Sequence, residues 1–236
     1  MYVYIANSGG CLMTKIFSHL SPQYEAKRNL MRGGKYNGAY YYSQEIVENI
    51  IPNVKTNRNW ITINVPGYGF DNSIVFIHSN IDPIGPYMWL QNYNNLVLVC
   101  SKREVAETCK RFGKTIYLPL SVDVEYVSRF KYDGEKDTRP CYVGNKWGYK
   151  AQDLRRYLPD DCVSYSNMPR EDILSNMARH SKVYAVGRCA IEALVLGAEL
   201  GMCDSRFPDP SVWKILDNRD AAKMLQDELN KIDGDL

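Results

Sequence analysis

The sequence predicts an α/β fold in two halves, because short apolar runs of strand length alternate with segments of helical periodicity along most of its 236 residues. Two of the runs, at 73–78 and 96–100, are apolar almost throughout, which is typical of strands buried on both faces of a parallel sheet. A polar stretch at 132–140 interrupts the alternation, which then starts again. We therefore predict a first domain at 1–131, a linker at 132–140 and a second domain at 141–236.

The chain opens with a predicted strand at 2–6, which is followed by Gly9 and Gly10 and then by a helical pattern at 11–20. Open α/β sheets bind ligands outside the carboxyl ends of their strands. The glycine pair follows such an end, and glycine permits close approach of a ligand to the backbone. We therefore expect Gly9 and Gly10 to lie at a ligand site.

The first half continues with a short helix at 44–51 and with strands at 60–65, 73–78, 96–100 and 115–119. Ser101 follows the strand at 96–100, and Glu104 comes three residues later, which is the pattern of a capping box. The helix that this pattern predicts ends at Gly113, since glycine is common just past the end of a helix.

The second half repeats the alternation. We predict strands at 141–143, 163–165, 183–186 and 200–203, and helices at 151–157, at 169–179, after Gly187 and at 217–232. The last of these is amphipathic and closes the chain. The two halves together predict two Rossmann-like domains that face a cleft, followed by a C-terminal helix.

Composition excludes several classes of protein. The net charge is +2 with mixed signs, so the chain has no strong electrostatic footprint for nucleic acid or membrane. No apolar run approaches the roughly 20 residues of a membrane span, and the N-terminus lacks the pattern of a signal peptide. Seven cysteines without a Cys-x-x-Cys pair, and only three histidines, favour buried free thiols in a reducing compartment. We expect a cytoplasmic protein without a metal site.

The most informative segment is 181–200, in which an apolar strand runs into Gly187 and Arg188 and then into a helix. A helix N-terminus presents free N–H groups and a partial positive charge. Arg188 adds a fixed cation beside that end, which suits a phosphate. Glu192, about one helical turn further on, can accept hydrogen bonds from vicinal sugar hydroxyls. The segment therefore predicts a pocket for a nucleotide or a nucleotide sugar.

Five segments, taken in order, resemble those of the GT-B glycosyltransferases. They are the strand that carries His78, Val99-Cys-Ser101 before a helix, Leu118-Pro-Leu-Ser-Val-Asp123, Tyr142-Val-Gly144 with Lys146 and Lys150, and Gly187-Arg-x-x-x-Glu192-Ala with Gly197. Two positions depart from the family pattern. Tyr184 stands where retaining members carry the first glutamate of the helix motif, and Asn145 replaces the arginine of their phosphate loop.

The resemblance implies a metal-independent glycosyltransferase that moves a sugar from a nucleotide-sugar donor, a UDP-sugar, to a glycan, a protein or modified DNA. Besides the donor it implies no cofactor. The residues that it assigns to the donor are Gly144, Lys146, Lys150, Gly187 and Arg188 at the diphosphate, Glu192 at the ribose, and Gly9 and Gly10 at the first domain.

A general base is expected beyond the carboxyl end of the strand at 73–78. His78 and Asp82 lie there, and histidine titrates near neutrality. We predict these two as the catalytic residues.

Other classes of function fit some of the same residues. A non-catalytic GT-B-like module would bind a nucleotide or nucleotide sugar without turnover, and the short chain and Tyr184 favour it. Cys189 near a helix N-terminus suits a nucleophile, but nothing in the sequence places a histidine beside it. A sugar-nucleotide epimerase would need more acidic and histidine residues than the chain offers.

Overall fold

The structure is a computed structural model that describes residues 4–6, 14–18, 38–63, 69–77, 85–144, 156–166, 168–203, 205 and 207–234. The described residues fall into two compact units. The first unit takes the described residues before Gly38, those from Ala39 to Pro119 and those from Asn218 onward, and the second takes Gly38 and Leu120–Asp217. No helix in the described part of the chain has both the length and the apolar character to cross a bilayer.

The first unit contains a six-stranded sheet whose strands lie side by side in chain order. The strands are β1 (Tyr4–Ala6), β2 (Thr14–Ser18), β3 (Trp60–Ile63), β4 (Ser73–Ile77), β5 (Val97–Cys100) and β6 (Lys114–Tyr117). β1 is antiparallel to β2, and every other pair is parallel. The order of these strands does not reverse, which differs from the doubly wound order of a Rossmann-like domain.

The predicted helix at 11–20 is wrong, because β2 occupies the middle of that segment and pairs with β1 on one side and β3 on the other. Thr14 and Ile16 are β-branched and Phe17 is aromatic, and these residue types fit a pleated sheet. A short apolar run has no periodicity long enough to separate a strand from a helix.

β3–β6 confirm the strands predicted at 60–65, 73–78, 96–100 and 115–119. Residues 64, 65 and 78 lie outside the described residues, and the bounds of β5 and β6 differ from the predicted ones by one or two residues. All residues of β4 and β5 are buried, as their apolar runs predict. The helices of this unit include α1 (Gly38–Glu45), α2 (Arg103–Cys109) and the C-terminal α6 (Asn218–Asp233). α1 continues into a π-helical turn at Ile46–Ile50, so the helix predicted at 44–51 is confirmed in part.

The predicted capping box at α2 is wrong. Lys102 is the N-cap, and no side chain caps the helix. Ser101 instead donates its backbone N–H to the carbonyl of Ile77 at 3.3 Å, which extends the ladder between β4 and β5. The backbone N–H that Ser101 would offer to Glu104 in a capping box is therefore already bonded to β4.

The C-terminal helix belongs to the first unit through a buried ion pair. Arg58 is 2% exposed, and its Nε and Nη2 donate to the two carboxylate oxygens of Asp233 at 2.8 and 2.6 Å. Its Nη1 donates to the carbonyl of Asn95 at 2.6 Å. This fork-to-fork contact fixes the end of α6 against the segments that precede β3 and β5.

The second unit contains four parallel strands in the order β10-β9-β7-β8. They are β7 (Cys141–Val143), β8 (Val163–Tyr165), β9 (Lys182–Tyr184) and β10 (Glu199–Gly201), with helices α3 (Val124–Ser128), α4 (Arg170–Met177) and α5 (Arg188–Val195). The chain adds β8 on one side of β7 and then β9 and β10 on the other. This reversal is the mark of a doubly wound sheet.

The stretch predicted as a linker, 132–140, lies inside the second unit. Asp137 donates its backbone N–H to the carbonyl of Arg179 at 2.7 Å. Lys136 Nζ donates to the carbonyls of Leu196 and Gly197 at 3.1 and 3.0 Å, which satisfies the end of α5. The polar composition of the stretch therefore reflects surface loops that are hydrogen-bonded to the unit.

Candidate functional site

The reversal of the second sheet brings two of the predicted segments to one edge. β7 and β9 are parallel neighbours, with Cys141 opposite Val183 and Tyr142 opposite Tyr184. Gly144 follows the last residue of β7, and Gly187 lies three residues beyond the end of β9. Adjacent parallel strands lie about 4.8 Å apart. Both glycines therefore follow the carboxyl ends of neighbouring strands, which is where open α/β sheets bind ligands.

Gly187 is the N-cap of α5 and has φ 70° and ψ −139°. This conformation lies close to a region that is essentially restricted to glycine. A Cβ at this position would meet only Leu120 Cδ1, at 3.8 Å. Backbone conformation, and not crowding, therefore requires glycine here, and the turn opens the start of the helix toward the edge of the sheet.

Gly144 is required for a different reason. A Cβ at this position would lie 2.5 Å from the phenol oxygen of Tyr142 and 2.9 Å from the ring carbon that bears it. Its N–H points to the carbonyl of Tyr165, at 3.4 Å. The backbone at Gly144 therefore lies close to the Tyr142 ring.

Glu192 lies on the second turn of α5 and is 1% exposed. Its Oε1 accepts a hydrogen bond from Arg170 Nε at 3.1 Å and forms ion pairs with Arg170 Nη2 at 2.9 Å and Arg188 Nε at 3.4 Å. Both arginine side chains are also largely buried, at 13% and 9% exposed. One buried carboxylate oxygen therefore holds two guanidinium groups.

The two arginines occupy equivalent places in the fold. Arg170 is the first residue of α4, which follows β8, and Arg188 is the first residue of α5, which follows β9. β8 and β9 flank β7 on either side. A cation is unfavourable at a helix N-terminus, and the first turn of α5 carries no acidic residue that would offset Arg188. Glu192, one turn further along α5, supplies the compensating negative charge.

A tyrosine and a second carboxylate border the ion cluster. The Tyr126 hydroxyl, on α3, donates to Glu171 Oε1 at 2.8 Å, and the Arg170 guanidinium lies 5.1 Å from the centre of the Tyr126 ring. Burial, together with this hydrogen bond, raises the pKa of Tyr126 to about 12. Backbone and Tyr126 hydrogen bonds lower the pKa of Glu171. Tyr126 therefore stays neutral and Glu171 stays charged at neutral pH.

The structure places Gly144, Gly187, Arg188 and Glu192 within the second unit, around the carboxyl ends of β7 and β9. The other predicted site residues, Gly9, Gly10, His78, Asp82, Lys146 and Lys150, lie outside the described residues. Sequence reasoning missed Arg170. Its signal was available as an arginine that opens the helix after the strand at 163–165, but only the strand order places that helix beside α5.

Among the residues that the structure describes, no group of three or more His, Cys, Asp or Glu side chains is arranged to hold a metal ion. The arrangement at this edge instead offers backbone donors and guanidinium groups, which bind anions. No protein-family model matches the chain, and no curated protein matches it.

Proposed function

We propose that the protein binds a nucleotide sugar through its second unit and transfers the sugar to an acceptor, as a metal-independent glycosyltransferase of the GT-B type. One observation carries the proposal. The order of the second sheet reverses at β7, and the helix α5 beyond its neighbour β9 has a glycine as its N-cap. Two largely buried arginines form ion pairs with one carboxylate of this helix. Backbone N–H groups and guanidinium groups at such an edge suit the diphosphate of a nucleotide.

The chemistry of glycosyl transfer fits this arrangement. Negative charge develops on the leaving diphosphate in the transition state, and prearranged donors lower the barrier without a metal ion. Arg188 and the N-terminus of α5 supply such donors, and Gly144 and Gly187 let the phosphates approach the backbone. Lys146 and Lys150, in the loop after Gly144, would add further positive charge.

The proposal assigns the acceptor side to the first half of the chain, across a cleft between two α/β halves. Gly9 and Gly10 would admit the donor or the acceptor. His78 or Asp82, beyond the end of β4, would accept the proton of the attacking hydroxyl. The acceptor would be a glycan, a protein or modified DNA, and the donor a UDP-sugar.

A binding module without turnover is the second candidate. Tyr184 stands where the retaining enzymes carry a sugar-binding glutamate, and its side chain is buried in a cluster with Tyr142 and Cys203. A buried tyrosine offers no carboxylate to a sugar. This observation favours a protein that holds a nucleotide sugar and returns it unchanged.

A thermal-shift screen with UDP-, GDP-, ADP- and TDP-sugars tests the donor site. A ligand at a hundredfold excess over its Kd adds about 2.7 kcal/mol to stability. We expect one donor to raise Tm, the Arg188→Gln variant to lose this shift, and the exposed Arg129→Gln variant to keep it. Release of nucleoside diphosphate from the active donor separates transferase from binder. No shift with any donor would refute both.

A further inference from the structure

Glu192 is the residue whose surroundings depart most from the role that the sequence predicts for it. A carboxylate that binds ribose must present an oxygen to the ligand, yet Glu192 is 1% exposed and its Oε1 forms ion pairs with both Arg170 and Arg188. We infer that Glu192 is a positioning residue, which holds the two guanidinium groups at the carboxyl edge of the sheet so that they receive a diphosphate. This inference rests on the proposed function.

The geometry explains why the arginines need such a partner. Arg188 begins a helix whose N-terminus repels a cation. An arginine side chain also has many rotamers, so holding it in one of them costs entropy. Glu192 lies four residues further along α5, on the same face, and its carboxylate holds the Arg188 side chain against the side of the helix.

Arg170 completes the arrangement from a second helix. Its Nε and Nη2 both approach Glu192 Oε1, at 3.1 and 2.9 Å. The carboxylate therefore ties the start of α4 to α5, the helices that follow β8 and β9. A diphosphate would meet two cations that are already oriented, and orientation before binding removes the entropic cost of ordering them.

The affinity of Glu192→Gln for pyrophosphate and for a nucleoside distinguishes a positioning residue from a nearby charge and from a ribose ligand. Glu192→Gln removes a negative charge, so if the carboxylate were only a nearby charge, the variant would bind anions more tightly. If Glu192 bound ribose, the variant would lose affinity for a nucleoside and keep its affinity for inorganic pyrophosphate. A positioning role predicts weaker binding of pyrophosphate and unchanged binding of the nucleoside.

The experiment titrates the full chain calorimetrically with three probes. The first probe is whichever of the diphosphates UDP, GDP, ADP and TDP binds most tightly. The second is the nucleoside of that diphosphate, and the third is inorganic pyrophosphate. For Glu192→Gln we expect about tenfold weaker binding of both phosphate-bearing probes, the effect typical of residues that orient metal ligands. The control is Glu199→Gln, which removes an exposed carboxylate paired with Lys182 and should change none of the affinities.

Arg170→Lys is the second variant, and it remains informative if Glu192→Gln does not fold. It keeps the charge and loses the two-nitrogen contact with Glu192, so through-space electrostatics predicts no change. We expect weaker binding of pyrophosphate, by about threefold, a fraction of the loss expected from removing the orienting carboxylate itself. Unchanged or tighter binding of pyrophosphate in the folded variants would overturn the positioning role.

The failure of the inference is distinguishable from the failure of the proposed function. If the wild-type protein binds neither pyrophosphate nor any nucleoside diphosphate, the proposed function fails and the inference falls with it. If the wild-type protein binds them and Glu192→Gln loses only the nucleoside, the proposed function stands and Glu192 is a ribose ligand.

Discussion

Replacing Gly187 with alanine tests the backbone on which the candidate site is built. Gly187 has φ 70° and ψ −139°, a conformation that residues with a Cβ rarely adopt. The new Cβ would have 3.8 Å of clearance from its nearest neighbour, Leu120 Cδ1, which is an ordinary contact. The substitution therefore adds backbone strain without a steric clash, and we expect it to destabilise the protein by about 1–3 kcal/mol.

Thermal unfolding measures this cost. For a chain of this length, each 1 kcal/mol lowers Tm by about 2–4 °C. Gly197→Ala is the matched control, because Gly197 also has a positive φ, 74°, and its nearest neighbour, Lys136 Nζ, is 3.7 Å from the Cβ position. We expect both variants to lower Tm. Only Gly187→Ala should also weaken pyrophosphate binding, since Gly197 follows the opposite end of α5.

Two outcomes would refute the reasoning. If Gly187→Ala unfolds at the wild-type temperature, the turn before α5 does not require a glycine conformation. If both variants weaken pyrophosphate equally, the loss follows from the stability of the second unit as a whole. The edge of the sheet at Gly187 would then have no special part in binding.

Two further predictions concern charges away from the candidate site. Asp233→Ala removes the carboxylate that the buried Arg58 guanidinium binds, and we expect a loss of about 3–5 kcal/mol in denaturant unfolding. Asp227→Ala, on the exposed side of the same helix, should change stability by no more than about 0.5 kcal/mol. The side-chain hydrogen bond from Arg139, with other contacts to that residue, lowers the pKa of Asp137 from 3.8 to about 2. Because this pKa is lower in the folded state, the contribution of the pair is present above pH 4 and is lost as the pH falls toward 2. Arg139→Gln should raise the midpoint of the Asp137 carboxyl titration followed by NMR, and an unchanged midpoint would contradict the pairing.

The sequence predicts the sheets best where strands are buried on both faces. The runs that became β4 and β5 are apolar almost throughout, and short runs of this kind are typical of strands buried on both faces of a parallel sheet. β2 was missed because its five residues are too few to show a period. The antiparallel pairing of β1 with β2 depends on contacts between segments, which local residue patterns do not contain.

The candidate site was predictable only where its residues are close in sequence. Gly187, Arg188 and Glu192 lie within two turns of one helix and its cap, so spacing alone groups them. Arg170 belongs to the same cluster only because the fold packs α4 against α5, although their starts are 18 residues apart in the sequence. Spacing also could not show that Glu192 is buried against two arginines, since burial depends on the packing of α5 against α3 and α4.

The residues at which the chain passes between the two units, at Leu120 and at Asn218, do not have the composition of a linker. Hydrogen bonding of the backbone at these points explains why. The chain leaves the first unit at Leu120 and returns to it at Asn218. Next to these points Val122 is fully buried, donates its N–H to the carbonyl of Leu216 at 3.1 Å and forms an isolated parallel bridge with Asp217. The backbone segments next to Leu120 and Asn218 are thus hydrogen-bonded to each other, and paired, buried backbone does not need the polar and glycine-rich residues of an exposed linker. Because the second unit begins at Leu120 and not after residue 131, Tyr126 belongs to the same unit as Arg170, Glu171 and Glu192.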